Sequence, residues 1–339
     1  MKKLVQVFCV FILSTTTHRV LSQDPHFSQF YSSPLLLNPA TTGVIPGDVR
    51  IVSHYRNQWK SVSTPFTTAA FSLDAPAFNK LIKEQDIFGL GIVAMTDQSN
   101  NGGLKANFVT LSMAYNKTLD YNGNHMIGLG YQFTFATKKV DYNKFVFSRQ
   151  FTPNGFDPQI PNGEPINGFQ LNYQDYATGI LYSGMNYEEH HWYLGSSYYH
   201  FTRPNESISG EVNRLDPRIT IHGGYSFPIS ELNRVYLSAL YMNSALANEI
   251  TGGVVFESTL NSSEYETSIY TGVFYRRDES IIPHFGINTG KMKIGLSYDI
   301  NISSFKTATQ GRGGFEMSLA LDLARSETAS RIPKCYFRF

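Results

Sequence analysis

Apolar and polar residues alternate in many short segments of this chain, and alternation is the period of a β-strand with one apolar face. Between residues 291 and 302, Met292, Ile294, Leu296, Tyr298, Ile300 and Ile302 share one face, while Lys291, Lys293, Gly295, Ser297, Asp299 and Asn301 share the other. Phe315, Met317, Leu319, Leu321 and Leu323 likewise oppose Gly314, Glu316, Ser318, Ala320 and Asp322. Ile127, Leu129, Tyr131, Phe133 and Phe135 oppose Gly128, Gly130, Gln132 and Thr134, and Ile219, Ile221, Tyr225 and Phe227 oppose Arg218, Thr220, His222, Gly224 and Ser226. Followed along the chain, the pattern predicts strands near residues 49–59, 64–74, 87–97, 104–118, 125–137, 174–185, 190–202, 217–227, 233–243, 248–257, 267–277, 281–289, 292–303 and 313–323. These are fourteen, an even number, and several approach the 9–11 residues that a tilted strand needs to cross a bilayer.

Period alone does not say whether the apolar face meets lipid or a soluble interior. Soluble antiparallel barrels usually close with fewer strands, so an exported chain with this many amphipathic strands is expected to be all-β, a transmembrane antiparallel outer-membrane β-barrel of about 14 strands. Connection lengths agree if the N-terminus lies in the periplasm. Residues 138–173 and 202–216 then face outward, whereas YNGN at 121–124, NYEEH at 186–190, PISEL at 228–232 and TGK at 289–291 make short inward turns. One inward connection departs from that rule: residues 75–86 have the spacing of a short helix through Phe78, Leu81 and Ile82.

The first residues read as an export signal. Lys2 and Lys3 precede an apolar run from Leu4 to Leu13, too short to span the roughly 30 Å hydrocarbon core, and cleavage is expected after Ser22. Cys9 falls inside this segment, so Cys335 alone remains and no internal disulfide can form. The next stretch, DPHFSQFYSSPLLLNPATTG at 24–43, has neither helical nor strand period, yet it is too apolar for a solvated linker. Its residues His26, Phe27, Phe30, Tyr31, Leu36, Asn38 and Pro39 need a buried home, and the expected home is the barrel lumen, as a plug. A docking strip along the periplasmic rim is the alternative. The expected layout is therefore a signal peptide at 1–22, a periplasmic lead-in or plug at 23–48, the barrel at 49–323 and a periplasmic tail at 324–339.

Composition adds exclusions. A net charge of +1 argues against a nucleic-acid partner. There is no GxSxG elbow, HExxH helix, CxxC pair or phosphate-binding glycine loop, so no catalytic residue, cofactor or metal site is expected. His190 and His191 are adjacent and would point to opposite faces of a strand, where they cannot share a metal. Lys293, Asp299, Glu316 and Asp322 would project into the lumen, either pairing among themselves or holding a plug. Phe151, Pro153, Asn154, Phe156, Pro204 and Asn205 lie in the long outward connections, where aromatic and polar residues offer contact surface for a partner.

The lead-in, followed by YRNQW (Tyr55, Arg56, Gln58, Trp59) and a TPF-containing second strand, resembles the start of the PorP/SprF family of type IX secretion outer-membrane proteins from Bacteroidetes. GLSYDINIS at 295–303, with Tyr298 and Asp299, and GGFEMSLAL at 313–321, with Glu316, resemble that family's last two strands, and the chain closes on a cysteine-containing tail. Its ending, KCYFRF, lacks the prolines that usually flank the cysteine. The resemblance implies a barrel without enzymatic activity, located in the outer membrane, that serves protein secretion and gliding motility. Its partners would be the C-terminal targeting domain of a secreted adhesin, the translocon and periplasmic ring or lipoprotein components, and outer-membrane lipid. Two other readings stay open: a passive porin or uptake channel for small solutes, and a soluble exported binding barrel.

Overall fold

The computed structural model describes residues 24–62, 64–78, 85–164, 168–207, 212–245, 247–261 and 267–323. The expected signal peptide, the C-terminal tail and residues 79–84 of the segment expected to form a helix at 75–86 lie outside these residues.

Fourteen antiparallel strands close into a single barrel. In chain order they are β1 (Val49–Gln58), β2 (Phe66–Ala77), β3 (Ile87–Ser99), β4 (Leu104–Thr118) and β5 (His125–Asp141). A two-residue ribbon of β6 (Phe151–Thr152) and β7 (Gly155–Phe156) stands in the following loop, outside the wall. The wall resumes with β8 (Gly168–Met185), β9 (His191–Tyr199), β10 (Arg218–Ser230), β11 (Asn233–Ser244) and β12 (Ala247–Asn261), and ends with β13 (Thr267–Arg276), β14 (Ser280–Asn288), β15 (Met292–Asn301) and β16 (Arg312–Leu323). Pairing of β1 with β16, from Val49 opposite Leu323 to Gln58 opposite Gly314, closes the ring. Closure leaves the wall without an edge strand, which is what a sheet in hydrocarbon requires.

The alternation read from the sequence sorts the two faces. Leu111, Leu129, Ile180 and Leu194 are 54%, 61%, 56% and 61% exposed and form part of the outer apolar band, while their neighbours Ser112, Gly130, Leu181 and Gly195 turn inward. A chain built this way, apolar outside and largely polar inside, is an outer-membrane β-barrel. Both ends of the wall, Val49 and Leu323, lie at one mouth together with the short turns after β4, β8, β10 and β14. The other mouth carries the longer connections 142–167, 200–217 and 302–311, and by the usual asymmetry it faces outward.

Where element bounds differ from those the pattern predicts, the strands are mostly longer. β5 runs to Asp141 and β8 begins at Gly168, because Lys138, Lys139, Gln170 and Asn172 continue the ladder above the bilayer, where both faces are wet and the alternation fades. β2 continues through Ala75–Ala77, so that part of the segment expected to be helical is strand.

Fourteen strands also enclose more room than their own side chains fill. About eight strands give a side-chain-filled interior, and sixteen to eighteen give an aqueous channel. The space in this barrel is taken by residues 24–48.

Candidate functional site

The lead-in has no sequence period because its elements are too short to have one. It consists of three single turns, Phe30–Ser32, Pro34–Leu37 and Pro39–Thr41, with proline at the first position of the last two. Asn38 sits between them in an extended conformation, its side chain capping the third turn through the Ala40 N–H at 2.9 Å. This compact path lets a short segment run the length of the lumen, from Asp24 near the outward mouth to Asp48 beside Leu323.

At its outward half the lead-in is gripped by buried charges. Glu316 is fully buried and accepts the backbone N–H groups of Ser28 and Gln29 at 2.7 and 3.0 Å. Arg56 pairs with Glu316 at 2.9 Å and with Asp299 at 3.1 Å, and donates to the His26 carbonyl at 2.8 Å. Arg276 pairs with Asp299 at 3.1 Å and donates to the Ser28 hydroxyl, which itself donates to Asp299 at 2.8 Å. His26 reaches Glu249 at 2.8 Å, and Gln29 exchanges hydrogen bonds with Ser297 and Ser318 at 3.0 and 2.8 Å. Charges this deep are tolerable only when each is paired and hydrogen-bonded.

Aromatic packing follows. The Phe27 ring stacks on His54 with centroids 3.9 Å apart. Phe30 enters an apolar cluster of Tyr236, Leu240, Val255, Tyr270, Phe274 and Ile282, and Tyr31 stacks on Phe274 at 5.3 Å. These wall residues face inward although they are apolar, so β11 to β14 depart from a polar lining where the lead-in docks.

Further down, wall side chains take up the lead-in's backbone. Gln132 donates to the Leu35 carbonyl at 2.8 Å, Tyr199 to that of Leu36 at 2.9 Å, Ser197 to that of Leu37 at 2.8 Å and Asn116 to that of Ala40 at 3.1 Å. Asn38 is fully buried and donates to the Ile180 carbonyl at 2.9 Å and to His222 at 3.0 Å. Pro39 and Ala40 lie on Gly130, where an added Cβ would fall 2.2 Å from Ala40 N, and Thr42 lies on Gly89, where it would fall 2.0 Å from the Thr42 carbonyl oxygen. Asp74 closes the periplasmic end, accepting from Gly43 N–H at 2.8 Å and from Arg50 at 2.9 and 2.7 Å.

The tip has its own cluster. His200 donates to Asp24 and to Asp175, each at 2.6 Å, and Arg218 pairs with Asp24 at 3.0 Å. Burial pushes the His200 imidazole down, but the Asp24 charge and the hydrogen bonds to both carboxylates push it up further, from 6.5 to about 9. Burial pushes the Asp24 carboxyl up, yet His200 and Arg218 together hold it well below the usual carboxylate range.

The residues singled out in the sequence thus fall into three places. His26, Phe27, Phe30, Tyr31, Leu36, Asn38 and Pro39 line up inside the lumen, and Arg56, Asp299 and Glu316 meet them from the wall. Tyr55 and Tyr298 point to the lipid face, 38% and 40% exposed, while Gln58 lies against Arg56 and Trp59 packs edge-on to Phe66 and Phe305 at the outward rim. Phe151 and Phe156 pair across the β6–β7 ribbon with centroids 5.8 Å apart and flank Pro153 and Asn154 at its turn, while Pro204 and Asn205 bond to Leu215 and Asn213 in the next loop. Lys293 and Asp322 lie together at the periplasmic side, lining a void with Tyr31 and His284. Sequence reasoning did not single out Arg276, Glu249, His54, Asp74, Arg50 or the Asp24–His200–Arg218 cluster. The available signal was the charge on the polar face of β1, β2, β12 and β13, together with glycines at alternate positions in β3 and β5.

These features define a class: an outer-membrane β-barrel whose lumen is occupied by its own N-terminal segment. The chain belongs to the family described as Type IX secretion system membrane protein PorP/SprF, whose sequence profile matches residues 20–321. A search of curated protein sequences returned no match. Among solved structures, a Pseudomonas aeruginosa FadL homologue is similar at 12% identity and a TM-score of 0.48, over 84% of this chain and 92% of that one. The Pseudomonas putida toluene transporter TodX is similar at 10% identity and a TM-score of 0.47, over 88% and 94%. BamA from Haemophilus ducreyi lacking POTRA domains 1–3 is similar at 10% identity and a TM-score of 0.40, over 81% and 70%.

A basic group raised on folding stabilises the folded state fully below its unfolded value and loses that contribution as pH climbs through its folded value. The His200 grip on Asp24 is therefore complete below 6.5 and fades as pH passes about 9, a span worth roughly 3 kcal/mol. Protection of the amides of residues 24–28 of the purified barrel, taken relative to the intrinsic exchange rate at each pH, will fall across that window, and in a His200→Gln variant it will be low at both ends. Gly130→Val will displace the backbone at Pro39 and Ala40 while leaving the wall intact: heat-shifted gel mobility will stay that of a folded barrel, and protease sites within residues 24–43 will open.

Proposed function

We propose that this protein is a closed, non-enzymatic receptor of the type IX secretion and gliding system, which recognises a secreted surface adhesin through its C-terminal targeting domain and retains it at the outer membrane. The observation that carries the reading is the occupied lumen. The lead-in is bonded to the wall from Asp24 at the outward side to Asp74 at the periplasmic mouth, leaving a void at its outward end and two smaller spaces toward the periplasmic end. A passive solute channel needs an open lumen, and here residues 24–48 occupy that space.

Contact with the partner is assigned to the outward loops. The β6–β7 ribbon presents Phe151 and Phe156, 59% and 44% exposed, with Val146 at 60% close by in the same connection. Rigid aromatic side chains give much contact area for little lost entropy, and such residues dominate binding energy at protein interfaces. Translocon, periplasmic ring or lipoprotein components belong to the opposite mouth, where the short turns and both ends of the barrel wall lie.

Mild-detergent purification of the tagged protein, followed by mass spectrometry, is expected to recover a large secreted protein, and the barrel in planar lipid bilayers is expected to be silent. Steady conductance together with normal secretion in a deletion strain would instead support a solute channel and end the receptor reading. A Phe151→Ser/Phe156→Ser double variant will fold and reach the outer membrane, yet it will recover the partner at a level lower by about tenfold or more.

A further inference from the structure

The lipid-facing side of β4 and β5 reads as a ladder of directly opposed pairs. Toward the outward mouth, Met113 lies opposite Tyr131, Leu111 opposite Phe133 and Val109 opposite Phe135, all apolar. Asn107 then lies opposite Thr137, and the next pair on that side is Lys105 opposite Lys139, both exposed. Hydrocarbon, polar boundary and charged headgroup follow one another in the same order across a membrane surface. The lysines stand four residues beyond Val109 and Phe135, about 13 Å along the strands at about 3.3 Å per residue.

Like charges directly opposite on neighbouring strands, with side chains starting about 5 Å apart, repel each other. Nothing among the described residues offsets them. Neither lysine is in an ion pair with a described residue, and their row continues on both sides with uncharged side chains, Gln98 on β3 and Gln170 on β8. Lys138, next to Lys139 in sequence, faces the lumen and does have a carboxylate, that of Glu206. Asp141, one step further out on the lipid-facing side, accepts the Asn143 N–H at 3.2 Å. A third cation is fixed over the β3–β4 turn, where Lys144 Nζ donates to the Asn101 carbonyl at 2.9 Å. Two ammonium groups flanked by two amides offer a phosphate both neutralising charge and N–H donors.

We propose that Lys105 and Lys139, with Gln98 and Gln170 beside them, bind the phosphate of an outer-leaflet glycolipid whose acyl chains lie along the apolar ladder below. Position decides the source. The cationic pair stands on the lipid-facing side of the wall, at the mouth that carries the long loops, so its anion comes from the headgroup layer there. A phosphate from solution would meet the lysines and gain nothing from Val109, Leu111 or Phe135. The site does not require the adhesin reading, because occupancy is measured on the barrel alone.

The test titrates the full-length protein, in a non-ionic detergent, with phosphorylated lipid A and separately with lipid A stripped of its phosphates, and reads the lipid adducts by native mass spectrometry. Saturable binding of the phosphorylated lipid is expected, with the stripped lipid weaker by about tenfold or more. Lys105→Gln/Lys139→Gln will bind the phosphorylated lipid about tenfold or more weakly while keeping the heat-shifted mobility of a folded barrel. Lys60→Gln/Lys306→Gln removes as much charge from exposed positions elsewhere on the outward rim and will bind like the unaltered protein. Inorganic phosphate equimolar with the lipid will not displace it. Absence of saturable binding, equal binding of the two lipids, equal loss in both double variants, or displacement by equimolar inorganic phosphate would overturn the proposal.

Discussion

The inside of this molecule depends on the carboxylate of Glu316. It is fully buried, faces Arg56 from across the β1–β16 seam that closes the barrel, and accepts two successive backbone N–H groups of the lead-in. Arg56 and Glu316 occupy directly opposed positions on neighbouring strands, so the ion pair that fixes the closing register is the one that seats the lead-in. Asp299 and Arg276 extend the same network to Ser28. A charge in this position without its partners would cost several kcal/mol, so closure of the wall and filling of the lumen are energetically one event.

The wall is shaped for that event. Glycines stand where the lead-in backbone passes closest, serine, asparagine and glutamine side chains donate where its carbonyls lie, and an apolar sector receives Phe30 and Tyr31. Polar lumen residues that would line a water-filled channel in a porin here satisfy backbone groups of an inserted segment. Outside the membrane band, which is ordinary lipid-facing apolar surface, the barrel presents its long loops at one mouth and its short turns at the other.

Membership in the PorP/SprF family sets the cellular context as a type IX secretion system membrane protein. The proposed role in recognition rests on the occupied lumen together with the exposed aromatic β6–β7 ribbon and the start of the lead-in held near the outward mouth by His200 and Arg218.

Strand number, order and facing were legible in the sequence, because a strand in a membrane barrel repeats every two residues and its lipid face must be apolar along its whole crossing. The Met292 to Ile302 and Phe315 to Leu323 patterns could fold in few other ways. The unusual apolarity of residues 24–43 was legible as well, and so was their need for burial. The partners were not. Glu316, Arg56, Asp299 and Arg276 are far apart in the sequence, and the same is true of Asp24, His200 and Arg218; no periodicity links them. Inward-facing Tyr236, Val255 and Ile282 interrupt the polar lining, and their reason is Phe30 packed beside them. Alternation is a local constraint that each strand satisfies by itself, so the sequence alone determined the wall. What fills the lumen depends on distances between residues brought together only when the ring closes, and that only the tertiary structure decided.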